Sequence, residues 1–99
     1  MADVTDPKEK AWLEKQLEDT RELLKLDEER LDIAKKEGVV VTDQLELQAG
    51  IERSKAKQLE LKKQLGLLNA EQLKNYASTL KAFDDAEKKL NKQIKALDS

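Results

Sequence analysis

The 99-residue chain carries 19 Lys and Arg against 21 Asp and Glu, a net charge of −2, and so lacks the basic excess that neutralises nucleic-acid phosphates by counterion release. It contains neither cysteine nor histidine, which excludes disulfides, thiolate zinc sites and histidine-based catalytic or di-iron constellations. No catalytic residue, metal ligand or cofactor is therefore expected, and one domain with one modest core suits the length, residues 1–99.

No apolar run approaches the ~20 residues of a bilayer span, and the opening MADVTDPKEK lacks the apolar stretch of a signal peptide. A soluble, cytoplasmic chain without membrane or nucleic-acid partners is expected, with a signal-less export route left open. Abundant Leu, Lys, Glu, Ala and Gln beside three glycines and one proline predict an all-α fold, because straight-chain residues lose little rotamer freedom on a helix.

Helix 1 begins near residue 7, where Asp6 can cap, Pro7 needs no partner for its missing N–H, and Glu9 is placed to complete a capping box. Its end is set at Gly38, which can turn left-handed behind Lys35 and Lys36, with Val39 folding back on Ala34 or Ile33. Val40 and Val41 then have two readings: they plug the open end of a bundle, or they form an exposed apolar tip for a partner.

Asp43 with Glu46, or Thr42 in its place, starts helix 2. A second break falls at residues 66–69, where Gly66 closes helix 2, Asn69 caps helix 3 with Gln72, and Leu68 is placed to staple against Leu73. The prediction is an antiparallel three-helix bundle, or helical coiled-coil hairpin, running up, down and up through helices at about 7–37, 43–65 and 70–97.

Helix 1 carries two apolar stripes, Leu13, Leu17, Leu24 and Leu31 on one side and Trp12, Leu23, Leu26 and Ile33 about a quarter to a third of a turn away. In a monomeric bundle the second stripe is only half covered, so it is the candidate docking surface for a protein partner or, as an isologous helix 1 contact, for a second copy. For Trp12 a bundle-end anchor is the first expectation and an interface anchor the second.

Two registers match large residues against small. Numbers summing to 80 between helices 1 and 2 set Asp27 opposite Arg53; numbers summing to 134 between helices 2 and 3 set Gln58 opposite Tyr76 and Leu61 opposite Leu73. Glu87, polar on helix 3's apolar stripe, is a third register-setting candidate. Residues 1–37 hold 12 acidic and 8 basic side chains, net −4, while 38–68 and 69–99 are each net +1, so helix 1 attracts the other two weakly.

The acidic groups Asp27-Glu28-Glu29 and Asp84-Asp85 lack the glycine spacing of a calcium loop and read as solvated helix faces. Phe83-Asp84-Asp85-Ala86-Glu87 resembles the aromatic-x-x-x-acid signal of the small helical-hairpin proteins exported by type VII secretion, although the W-x-G turn of that family is missing. The resemblance implies an exported helical partner or chaperone of a secreted protein. The residues themselves point first to a non-enzymatic interaction module: a self-associating scaffold, an adaptor or an inhibitor of a larger protein.

Overall fold

The computed structural model describes residues 6–98. It is all-α, with α1 at Pro7–Glu37, α2 at Val41–Gln64, a short α3 at Ala70–Lys74 and α4 at Tyr76–Asp98.

The ends of α1 follow their local chemistry. The Asp6 carboxylate accepts from the Lys8 N–H at 3.0 Å, with Pro7 as the first helical residue. At the other end Gly38 is left-handed (φ 69), and the N–H groups of Gly38 and Val39 both donate to the Ala34 carbonyl. Gly66 repeats the device with φ 71. Its N–H reaches the Lys63 carbonyl and the Leu67 N–H reaches that of Lys62, the paired bonds of a Schellman ending.

Two boundaries differ from the sequence reading. Helix α2 starts at Val41, two residues before the predicted 43, and its N-cap Val40 supplies no side-chain acceptor. The Val40 carbonyl instead accepts from the Asp43 and Gln44 N–H groups, and the Gln44 side-chain amide donates to the Val39 carbonyl at 2.8 Å. Asp43 thus lies inside the first turn, where a carboxylate meets the positive end of the helix dipole.

The predicted third helix is also interrupted, at Asn75. Asn75 serves both pieces as a terminus: its N–H donates to the Glu71 carbonyl, closing α3, and its carbonyl accepts from the Thr79 N–H at 2.9 Å and the Ser78 hydroxyl at 3.0 Å in the first turn of α4. The predicted cap is present upstream, with Asn69 and Gln72 bonding each other's backbone N–H at 2.8 and 2.9 Å.

The helices run up, down and up, and α2 is the shared partner: α1 packs on it from one side and α4 from another, with no interface of comparable size between α1 and α4. The radius of gyration is 15.8 Å, against ~13 Å for a compact globule of this length. So open an arrangement encloses little. Leu13, Leu17 and Leu61 form the buried cluster, with Leu65 against it, at the end where α1 begins and α2 finishes. Elsewhere the α1 and α2 interior is built from small or medium residues, Ala34, Ala49, Ile51 and Ser54.

Candidate docking surface

On α1 the stripe at Leu13, Leu17, Leu24 and Leu31 turns inward, its first two members buried and the others half-buried. A helix that touches one neighbour buries one stripe. The second stripe is consequently left outside: Trp12 is 59% exposed, and Leu23, Leu26 and Ile33 are each about half exposed. From Trp12 to Ile33 it runs ~30 Å along the helix, most of the molecule's 47 Å length.

The bundle-anchor reading of Trp12 gives way to exposure, because the adjacent Leu13 takes the inward position. The plug reading of the valines fails in the same manner. Val40 is 66% exposed and Val41 is exposed beside it. All six residues proposed for contact with a partner therefore lie at the surface, four on the outer face of α1 and two at the tip of the α1–α2 hairpin.

The register-setting residues are placed differently from the expectation. Asp27 is turned toward α2, but it meets Gly50: a Cβ there would lie 3.6 Å from its Oδ2. Its ion pair runs to Arg30, at 3.8 Å. Arg53 bonds Glu87 instead, Nε to Oε2 at 2.8 Å, joining α2 to α4. Two residues singled out separately thus form one cross-helix pair.

Gln58 and Tyr76 line different clefts, Gln58 with Leu68, Thr79 and Phe83, and Tyr76 with Ala56, Glu60 and Leu80. The Lys63 ammonium sits 4.3 Å from the centre of the Tyr76 ring. Burial, and then the Glu60 carboxylate, push the Tyr76 phenol above its ordinary value. The pairs Arg53 with Glu87 and Lys63 with Tyr76 sum to 140 and 139, so α4 has slid by about one and a half turns from the predicted 134. The cause is local. Leu61 is consumed by Leu13 and Leu17, and Leu73 stands exposed in α3, so the stripe of α4 that reaches α2 begins at Tyr76.

Between α1 and α4, over α2, lies an open cleft of about 420 Å³ bordered by Leu31, Ile51 and Leu90 and by the charged Glu28, Lys35 and Lys55. Its walls carry both signs of charge, with Glu28, Asp32 and Glu52 beside Lys35 and Lys55. Among the described residues no three acidic side chains gather to hold a metal ion, and no helix is long and apolar enough to cross a membrane. Comparison of the chain with family models, with curated proteins and with solved structures finds no match.

Proposed function

We propose that this chain is a non-enzymatic helical interaction module, a scaffold, adaptor or inhibitor that engages a protein, or another copy of itself, through the outer face of α1. One observation carries the reading: Trp12, Leu23, Leu26 and Ile33 share one helix face that, among the described residues, no other helix covers. Large apolar side chains in helical register and open to solvent are what helix-in-groove and coiled-coil contacts use as anchors. At ~25 cal/mol per Å², covering about 400 Å² of apolar surface contributes roughly 10 kcal/mol before the costs of association.

The test is the double substitution Leu23→Glu with Leu26→Glu. Both side chains are half exposed and absent from the buried cluster, so helical content and melting temperature should stay near wild type. In an extract of the native cells the wild-type chain should migrate as a complex and the double variant as a free monomer. Unfolding of the variant would assign these leucines to the core. A wild type that is monomeric both in extract and as concentrated pure protein would defeat the reading.

A further inference from the structure

We infer that the α1 face is made for a helix of a different protein whose flanking charges run acid, base, base, acid, and that a second copy of this chain fits it poorly. The inference rests on the docking role proposed for that face. Along the exposed seam the spacing alternates by four and three, with Trp12, Asp19, Leu26 and Ile33 as one set and Gln16, Leu23, Arg30 and Glu37 as the other. One flank of this seam is closed by α2. The open flank carries Lys15, Glu22, Glu29 and Lys36, all exposed, where a partner helix would place its own charges.

The charge order base, acid, acid, base reads the same from either end. For a second copy the consequence is repulsion. The two-fold antiparallel register that sets Leu23 against Leu26 of the second copy also sets Glu22 against its Glu29 and Lys15 against its Lys36, each twice. The same register places Asp19 against the second copy's Arg30, but inside the seam, where desolvation offsets the attraction. A partner carrying the complementary order gains at all four flanking positions, whichever way it runs. Local pairing competes little: Lys36 holds Asp32 at 3.0 Å in an exposed pair, and Lys25 lies one row further from the seam.

The probes are two synthetic helical peptides with leucine at every seam position, identical except at the four flanking positions, Glu-Lys-Lys-Glu in one and Lys-Glu-Glu-Lys in the other. Trp12 is the single tryptophan of the chain and lies in the seam, so its emission reports binding directly. The first peptide should bind about tenfold or more tightly than the second at low salt, with the gap narrowing at high salt. Glu22→Lys with Glu29→Lys should reverse the preference while leaving the circular dichroism unchanged. Equal binding of both peptides by the wild type would overturn the charge inference and leave the docking role standing. Failure of both peptides with a monomeric chain would overturn the two together. Sedimentation as a dimer that excludes the peptides would make the occupant a second copy and overturn the inference.

Discussion

The two seams of α2 are held by different means. Against α1 it buries side chains, with Leu13, Leu17 and Leu61 in one cluster. Against α4 the contact is long but shallow: no residue of α4 is buried, and its identifiable ties are the Arg53–Glu87 bond and the Lys63 ammonium over Tyr76. Burial sets stability and polar pairs set alignment, because an exposed ion pair contributes at most ~1 kcal/mol whereas a buried leucine contributes ~2–5. The α1–α2 hairpin is therefore the foundation, and α4 is a helix aligned on it.

The largest effect should follow from Leu61→Ala. It removes a side chain only 3% exposed from the cluster and should cost about 2–4 kcal/mol in urea unfolding. Leu90→Ala, on the half-buried stripe of α4, should cost about half as much or less. Equal costs would erase the contrast between the seams.

Glycines give the next effects, of opposite sign. Gly66 is left-handed between α2 and α3, so Gly66→Ala should destabilise by about 1–2 kcal/mol. Gly50 lies inside α2, and an added Cβ meets Asp27 Oδ2 at an ordinary 3.6 Å. Gly50→Ala should therefore stabilise by about 0.5–1 kcal/mol through helix propensity. A destabilised Gly50→Ala would show that α1 and α2 approach more closely than this contact implies.

The helix count along α1 and α2, the N-caps of α1 and α3 and both left-handed glycines were legible because their causes lie within a few residues of chain, whereas the start of α2 was set at Asp43 or Thr42 and lies at Val41. Asp6-Pro7, Gly38, Gly66 and Asn69 with Gln72 each satisfy backbone groups locally. Registers were not legible in the same way. They depend on which stripe wins a shared neighbour, and Leu61 could serve α1 or α4 equally in sequence. The exposed stripe of α1 was readable as a surplus, but that α1 would touch one helix instead of two was not. Gly50 was the missed signal: a glycine inside a helix of otherwise good formers marks the point where Asp27 arrives.

A double-mutant cycle on Arg53→Ala and Glu87→Ala tests the alignment role. The pair is largely exposed on the arginine side, with 66% of that side chain open, so its coupling should be about 0.2–1 kcal/mol. Cross-linking between cysteines placed at the ends of α2 and α4 should report lost register in the single variants even where the melting temperature hardly moves. An unchanged cross-linking pattern would assign alignment to the half-buried apolar stripe alone.

The smallest effects come with pH, and the shifted groups that the structure resolves all lie on α4. Asp85 is held below its ordinary value chiefly by a hydrogen bond from Lys81 at 2.7 Å, and Lys88 above its own by a bond to Asp84. Both are fully exposed, so salt should screen them. Tyr76 differs, since burial comes first among its causes and Glu60 second. A phenol whose folded value is raised keeps its proton more tightly in the native state than in the unfolded chain. Its contribution is complete below the ordinary value of 10.0 and is lost as pH rises through the folded value. Urea midpoints followed upward from about pH 8 should fall above about pH 10, and less steeply in Tyr76→Phe, which has no proton to lose. Glu60→Gln should flatten the curve less than Tyr76→Phe does, because it removes the lesser cause and leaves the burial. If the two variants instead flatten it equally, the ring is wetter than its place between α2 and α4 implies, and the shallow seam is shallower still.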